Sequence, residues 1–323
     1  QIIALISGAD GSIGQIPQNH FYALEVLRNT GTEQQKQKLY AEVLKGSRFG
    51  NALAEFKTKN AAQKQTSIRK TTDGFEVSGE KFYCTGSLFS HRIPTLVKDE
   101  DHREYLAFIP RQSEGLSLID DWSGFGQRTT GSGTVKFNHV KILAEDVIPF
   151  DQAFQQPTLV GPFAQLMHAA IERGIARAAF EETLIRVRQA RPWIDSGVDF
   201  ATQDPLTLSE LGRVSVDVKA TELLLKQAAH SIDLAKPHPN EKNIAQASID
   251  VAKVRAHSTE TALKAASKLV ELAGSRGSQS QDALDLHWRN ARVHTLHDAS
   301  RWKYYFIGNY VLNHVLPPRR GTL

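Results

Sequence analysis

The strongest constraint on the fold is a hydrophobic periodicity that changes twice along the chain. Residues 1–46 carry apolar side chains at helical spacing, residues 47–150 carry short alternating or β-branched runs, and residues 151–323 return to helical spacing. This change of periodicity therefore predicts an α+β protein with an N-terminal helical domain, a central antiparallel, barrel-like β domain and a C-terminal helical bundle. Because residues 2–14 read as the middle of a helix, we expect the N-terminal domain to be truncated.

The C-terminal part is predicted to contain four long helices. Proline residues and the sequence GSRG separate the helical segments, and apolar side chains recur on one face of each segment. This pattern is typical of an antiparallel four-helix bundle. The predicted helices cover residues 159–191, 206–235, 240–273 and about 284–312.

Composition and charge exclude several classes of protein. The 323-residue chain has neither a signal-peptide pattern nor an apolar run of about 18 residues, so a cytoplasmic location is expected. Its one cysteine, Cys84, excludes an intramolecular disulfide and argues against a thiolate metal site. The net charge is +4, and the lysines and arginines are interspersed with acidic residues and form no long basic block. A small anionic ligand therefore fits better than nucleic acid.

Several familiar catalytic motifs are missing from the sequence. The glycines of residues 8–14 and 124–126 do not lie between a strand and a helix of a βαβ unit, which argues against a dinucleotide-binding fold. Walker, nucleophile-elbow and HExxH sequences are absent, and so are the paired Glu-x-x-His motifs of di-iron bundles. These observations leave the bundle without an obvious metal or nucleotide.

The sequence HTLHD at residues 294–298 is the most suggestive short motif. On a helix, His294 and His297 would share a face, while Asp298 could lie beside them or face solvent. Two imidazoles without a third donor at a recognisable spacing do not make a metal site, so no metal is predicted. Two readings stay open, because the residues are either polar groups tolerated by a helix or imidazoles that exchange protons near neutral pH.

Seven segments, in the same order and at compatible spacing, resemble the acyl-CoA dehydrogenase superfamily. Within it, they are most similar to the flavin-dependent monooxygenase branch of dibenzothiophene monooxygenases and sulfur-acquisition oxidoreductases. The resemblance covers nearly the whole chain. Its carriers are ADGSIGQIPQNH (9–20), GNALAE (50–55), GEKFYCTG (79–86), DDWSGFGQRTTGSG (120–133), QARPW (189–193), GSRG (274–277) and WRNARVHTLHD (288–298).

The resemblance implies a two-component monooxygenase that oxidises a small organosulfur compound through a flavin C4a-hydroperoxide. It implies FMN, with FAD possible, reduced by a separate NAD(P)H:flavin reductase, dioxygen as co-substrate, and a homotetramer. Dehydrogenases of the superfamily need a glutamate base, and none occurs in residues 159–171 or 291–302. An FAD-dependent acyl-CoA dehydrogenase-type oxidoreductase and a non-catalytic flavin- or ligand-binding member are the alternatives.

The resemblance also assigns roles to individual residues. His297 and His294 are expected beside the flavin, where they would hold or protonate the hydroperoxide, and the Thr85 hydroxyl is expected at the reactive edge of the ring. Arg276 is either a cofactor contact supplied by a neighbouring subunit or a solvated turn residue. The remaining expected cofactor contacts are Asn19, Asn51, Lys81, Tyr83, Cys84, Trp122, Arg191, as a phosphate ligand, and Ser275. Trp122 could equally be a core residue, and Cys84 is expected to pack as a small buried group beside the cofactor.

The chain departs from its relatives on the early helix. Gln15 stands where they carry a catalytic histidine, and Asn19 stands where they carry a flavin-contacting tyrosine. Glutamine can form hydrogen bonds but cannot act as an acid at neutral pH, so the proton relay or the substrate range should differ. Residues 53–63 resemble a mobile lid that would keep water from the flavin.

Overall fold

The structure, a computed structural model, describes residues 1–55 and 65–322. Most of the lid predicted at residues 53–63 lies outside the described residues. The chain forms two compact units, and the division into three domains at residues 46 and 150 stays a prediction. The helical unit comprises Gln1–Gln15, Gly124–Gln127 and Gly161–Leu323, and the sheet unit comprises Ile16–Ser123 and Arg128–Val160.

The first 44 residues contain three helices, α1 (Ile2–Ala9), α2 (Gly11–Thr30) and α3 (Glu33–Leu44). The prediction of one continuous helix over residues 2–14 is wrong, because Asp10 is extended and ends α1. Its carboxylate accepts hydrogen bonds from the first free N–H groups of α2, which is the usual role of an aspartate at a helix start. Thr32 forms a reciprocal capping box with Gln35 at the start of α3.

A seven-stranded sheet forms the core of the sheet unit, in the order β5-β6-β2-β1-β3-β4-β7. The prediction of a purely antiparallel, barrel-like domain needs correction, because β1 and β3 are parallel and the sheet is open at β5 and β7. The chain reverses after β2, so β3 runs in the direction of its neighbour β1. The strands are β1 (Ser67–Thr71), β2 (Gly74–Lys81), β3 (Arg92–Lys98), β4 (Glu104–Pro110), β5 (Leu116–Ile119), β6 (Thr134–Ile142) and β7 (Val147–Pro149).

The C-terminal helices confirm the predicted helical domain with one correction. The fourth predicted helix is broken at residues 296–299 into α7 and α8, so HTLHD runs past a helix end. The helices are α4 (Val160–Gln189), α5 (Pro205–Ala235), α6 (Glu241–Leu272), α7 (Asp285–Thr295) and α8 (Ser300–Asn313). Short 3₁₀ turns occur at Ser87–Phe89, Ala144–Asp146, Asp151–Phe154, Ile194–Ser196, Ala201–Gln203, Gly274–Ser278 and Ser280–Asp282.

The core of the helical unit contains many small side chains. Buried alanines on α4 and α6 pack with Ile171 and Leu269, and small residues let helices approach closely. Gly174 on α4 is the tightest example, because a Cβ there would lie 2.5 Å from the Ala4 carbonyl oxygen of α1. Within residues 1–55 and 65–322, every helix is too short or too polar to cross a membrane.

Two glycine-to-alanine substitutions test this packing. Gly174→Ala should destabilise the protein by about 1–3 kcal/mol, because the new methyl group forces α1 away from α4. Gly212→Ala, on an exposed part of α5 where a Cβ meets no described atom within 4 Å, should stabilise it by up to about 1 kcal/mol. Urea denaturation of both variants measures the difference. Equal stabilities would show that α1 does not pack on Gly174 as described.

Candidate functional site

A chain of buried hydrogen bonds links three side chains of the helical unit. His168 and Glu172 lie one turn apart on α4, and His294 lies on α7. His294 Nδ1 is 3.2 Å from Glu172 Oε1, and His294 Nε2 is 3.1 Å from His168 Nδ1. All three side chains are at most 1% exposed. Helices distant in sequence therefore build one polar network inside an apolar core.

Glu172 is the charged anchor of this network. It forms an ion pair with the buried guanidinium of Arg255 on α6 and accepts hydrogen bonds from the hydroxyl groups of Ser258, at 2.6 Å, and Thr259, at 3.1 Å. Burial raises the pKa of the Glu172 carboxyl, but the Arg255 charge and the hydrogen bonds from His294 and Ser258 outweigh it and lower this pKa to about 2. Glu172 is thus ionised at neutral pH.

The ionised carboxylate determines which ring nitrogen of each histidine carries a proton. Burial lowers the pKa of both His168 and His294, so both imidazoles are neutral at pH 7. His294 Nδ1–H donates to Glu172, which leaves His294 Nε2 to accept from His168 Nδ1–H. The network therefore assigns the lone pair of His168 to Nε2.

His297 and Asp298 lie just beyond the end of α7. The His297 ring is 4.0 Å from the His168 ring between centroids, and its side chain is 45% exposed. Asp298 Oδ2 lies 3.3 Å from His297 Nδ1 and accepts a hydrogen bond of 2.8 Å from Gln165 Nε2. Burial raises the pKa of Asp298, but the charge of His297 and its hydrogen bond outweigh this effect and lower it. Asp298 is therefore an anion beside His297.

The two predicted histidines are brought together, although not in the predicted way. His297 follows the C-cap residue Leu296, so the two do not share a helix face, and His168 lies between them. His168 and Glu172 were both missed from the sequence. Glu172 lies one residue beyond the stretch 159–171 that lacks a glutamate. The available signal was a histidine and a glutamate four residues apart in an otherwise apolar stretch of α4.

In the sheet unit, Thr85 belongs to a buried cluster of hydroxyl groups. Its Oγ1 lies 2.8 Å from Ser132 Oγ, which in turn lies 2.6 Å from Thr130 Oγ1. Each hydroxyl group can donate one hydrogen bond and accept two. The Thr85 hydroxyl, which has one hydrogen bond in this cluster, therefore keeps capacity for a polar ligand.

Other predicted cofactor contacts gather near Thr85. Asn51 Nδ2 donates to the Tyr83 carbonyl at 3.1 Å, and the Tyr83 ring meets the edge of the Trp122 ring at 6.0 Å. Tyr83 has a positive φ of 56°, which is costly for a residue with a side chain. Cys84 is buried, and burial raises the pKa of its thiol. The loop after β2 thus presents a polar edge flanked by two aromatic rings, with an unreactive thiol beside it.

Lys81, another predicted cofactor contact, belongs to a buried ion pair. Its side chain is fully buried, and Nζ lies 2.6 Å from Glu55 Oε1 in an ion pair that is also buried. Glu55 accepts further hydrogen bonds from Thr66. The Lys81 ammonium therefore holds residues 53–55 to the end of β2, and its charge is compensated within the protein.

The early-helix residues Gln15 and Asn19 are both buried on α2. The Gln15 side-chain oxygen has no hydrogen-bond partner among residues 1–55 and 65–322, and the same holds for Gln18. A buried acceptor without a partner is costly, which makes it a natural place for a ligand donor or an ordered water.

Of the predicted cofactor-binding arginines, Arg276 lies at a cavity in the helical unit. Arg276 lines a cavity of about 350 Å³ together with Arg186 from α4. Arg186 is already paired with Glu182 and Asp282, so Arg276 is the stronger candidate to bind an anion. Ser275 and Arg191 are exposed, and Arg191 lies just after α4. The structure does not place Arg191 among the residues lining this cavity.

Several known proteins are similar to this chain in sequence and fold. Residues 166–302 match the family model described as acyl-CoA dehydrogenase, C-terminal domain. The chain is 30% identical to a probable FMNH₂-dependent monooxygenase, SfnC, from Pseudomonas putida, over 98% of this chain and 81% of that protein. It is 28% identical to dibenzothiophene monooxygenase from Rhodococcus qingshengii, over 98% and 80% respectively. FMN-bound TdsC from Paenibacillus sp. A11-2 superposes with a TM-score of 0.94 at 28% identity, over 99% of this chain and 84% of that one.

A double-mutant cycle tests the buried anchor. Glu172→Gln should destabilise the protein by about 3–5 kcal/mol, because it leaves the Arg255 charge buried without compensation. Arg255→Met should be costly for the converse reason, and the double variant should lose clearly less than the sum of the two single losses. Urea denaturation of the four proteins measures the coupling. Additive losses would show that the two charges do not interact.

Proposed function

Because this chain belongs to the flavin monooxygenase branch of the acyl-CoA dehydrogenase superfamily, we propose that it oxidises a small organosulfur compound with reduced FMN and dioxygen. The relatives named above include a dibenzothiophene monooxygenase and an FMNH₂-dependent enzyme. A separate NAD(P)H:flavin reductase would supply the reduced flavin.

The observation that carries the proposal is the state of Glu172, the carboxylate hydrogen-bonded to His294. A dehydrogenase base must accept a proton from the substrate, whereas Glu172 has a pKa of about 2 and is bonded to Arg255, Ser258, Thr259 and His294. A carboxylate so strongly stabilised as an anion is a weak base. The groups left for proton chemistry are imidazoles, which supports oxygenation over dehydrogenation.

The donor set of the sheet unit fits a flavin ring. The Thr85 hydroxyl and the Asn51 amide can hydrogen-bond ring heteroatoms, and Tyr83 and Trp122 offer flat apolar surface. Asn19 on α2, which belongs to the same unit, adds a buried polar group. Arg276 suits the phosphate of a cofactor bound by a neighbouring subunit. When bound, reduced FMN supplies the electrons that activate dioxygen.

The histidines handle protons in this proposal. His297 is the accessible imidazole and donates or accepts a proton at the reacting oxygen, with Asp298 orienting its ring. His168 Nε2 accepts hydrogen bonds beside it, because the Glu172–His294 chain holds the proton of His168 on Nδ1. Gln15 forms hydrogen bonds only, so the proton relay differs from that of relatives with histidine there.

Assembly into a homotetramer is part of the proposal. Exposed large apolar side chains on α8, including Trp302, Tyr305 and Leu312, form a surface of the kind that proteins bury on association. Light scattering should give the mass of four 35.9 kDa chains. Leu312→Lys should weaken assembly, whereas Leu44→Lys, equally exposed on α3, should not. A monomeric wild-type protein would contradict the proposed assembly.

The activity itself is tested with isotopically labelled oxygen. The purified chain, a flavin reductase, NAD(P)H, FMN and ¹⁸O₂ are mixed with dibenzothiophene or with small thioethers, sulfoxides, sulfones and sulfinates. We expect one labelled oxygen to be added per turnover, so a sulfoxide formed from a thioether carries one and a sulfone carries two, detected by mass spectrometry. His297→Ala should lower the rate by about 10²–10⁴-fold, the usual contribution of a general acid or base.

The control is His238→Gln, which removes an exposed histidine from the loop before α6 and should leave the rate unchanged. Failure to form labelled product from any of these compounds would overturn the oxygenase proposal. Bleaching of bound flavin by acyl-CoA without oxygen would support a dehydrogenase instead. Failure to bind FMN or FAD would support a non-catalytic protein.

A further inference from the structure

Three potential metal ligands converge in the helical unit beside the buried histidine network. One ring nitrogen each of His168 and His297 and one carboxylate oxygen of Asp298 lie within 4.8 Å of one another. Two imidazoles and a carboxylate are ligands that divalent first-row metal ions prefer. We propose that His168, His297 and Asp298 form a binding site for a divalent transition metal ion such as Zn²⁺, and that its occupation inhibits the enzyme.

The sequence predicted no metal here because HTLHD lacked a third donor. The structure supplies that donor from α4, 129 residues before His297, which no local spacing could reveal. Asp298 is the other addition, because its side chain turns inward and is only 8% exposed. The site therefore arises from the tertiary fold and not from a sequence motif.

The surroundings of His168 are those of a metal ligand. Its Nδ1–H donates to His294 Nε2, and His294 donates in turn to Glu172, so Nε2 of His168 carries the available lone pair. Metal-bound histidines usually donate their second N–H to a carboxylate or another acceptor, which fixes the tautomer and raises ligand basicity. Here His294 accepts the second N–H of His168, and Glu172 in turn holds His294 in the required tautomer.

Gln165 provides an independent indication of a missing ligand. Its Nε2 donates to Asp298 Oδ2 at 2.8 Å and to the Gly321 carbonyl, and its side chain is buried. Its Oε1, however, is buried and has no hydrogen-bond partner in the described part of the chain. A water molecule on a metal held by Asp298 would supply the donor that this oxygen lacks.

Only a small rearrangement is needed to close the site. Zinc bonds of about 2.0–2.1 Å at tetrahedral angles place ligand atoms about 3.3 Å apart, so the separations must shorten by up to about 1.5 Å. His168 is held by the core, whereas His297 is half-exposed in the turn after α7 and can move. Its contact of 3.3 Å with Asp298 would be exchanged for the metal bond.

The local charges permit a cation without strongly attracting one. Glu172 is compensated by Arg255, and Asp298 faces the buried ammonium of Lys303, which donates to the Thr322 carbonyl. We therefore expect reversible binding and not a permanently held structural ion. The inhibitory part of the inference rests on the proposed function, because a metal on His297 removes the imidazole assigned to proton transfer.

Metal binding is tested on the full chain after chelator treatment. Titration with ZnCl₂ against a chromophoric indicator should show one saturable site per chain, and Co²⁺ should give the visible spectrum of a nitrogen–oxygen site. His297→Gln and Asp298→Asn should weaken Zn²⁺ binding at least about tenfold, the least effect expected on losing a metal ligand. His238→Gln should bind as wild type does. Circular dichroism confirms that each variant is folded.

Equal Zn²⁺ affinity in wild type and His297→Gln, or the absence of saturable binding, would overturn the site. For the inhibitory part, stoichiometric Zn²⁺ should abolish labelled product formation, and a chelator should restore it. Full activity with the site occupied would overturn inhibition but not binding. If no substrate is oxidised at all, the proposed function fails, and the titrations still decide whether the metal site exists.

Discussion

The ion pair between Glu172 and Arg255 is the interaction on which the rest of the helical unit depends. Removing two charges from water costs several kcal/mol per ion, and hydrogen bonds from Ser258, Thr259 and His294 to the carboxylate help to offset this cost. Since these donors come from α6 and α7, the pair ties both helices to α4. The need to satisfy one buried anion thereby sets the orientation of His294.

The orientation of His294 in turn fixes the orientation of His168, which contacts His297 at the surface of the unit. His294 has no choice of tautomer beside an ionised carboxylate, and its neighbour His168 then has none either. The only accessible member is His297, where the helix has already ended and the side chain is partly in solvent. A rigid interior therefore supports one adjustable imidazole, an arrangement suited both to proton transfer and to reversible metal binding.

The sheet unit also contains a buried ion pair next to its candidate binding residues. Lys81 and Glu55 form a buried pair at the end of β2, which anchors the chain just before the loop that carries Tyr83, Cys84 and Thr85. The positive φ of Tyr83 costs energy that the surrounding structure must offset. In both units, a compensated internal charge positions the polar groups assigned to catalysis or cofactor binding.

Periodicity and turn residues determined much of this protein by themselves. The order of helical and β segments and the positions of α4 to α6 follow from local patterns, because a helical or alternating stripe needs only neighbouring residues. The family resemblance rests separately on seven short sequence segments. The β3 strand was not predicted, since RIPTLVK is almost wholly buried and lacks alternation. The break between α7 and α8 was missed as well, because no proline or glycine marks it.

Only the tertiary structure decided what HTLHD does. His294 contacts His168 across 126 residues and Glu172 across 122. The histidine and glutamate spacing on α4 marks a polar site there, but it does not show that His294 is the partner. Protonation state, tautomer and metal-ligand geometry depend on burial and on donors from other helices, which are properties of the packed core. The sequence therefore identified His294 and His297 as candidate functional residues. Only the fold determined that His294 is buried, that His297 is accessible and that Glu172 is already paired.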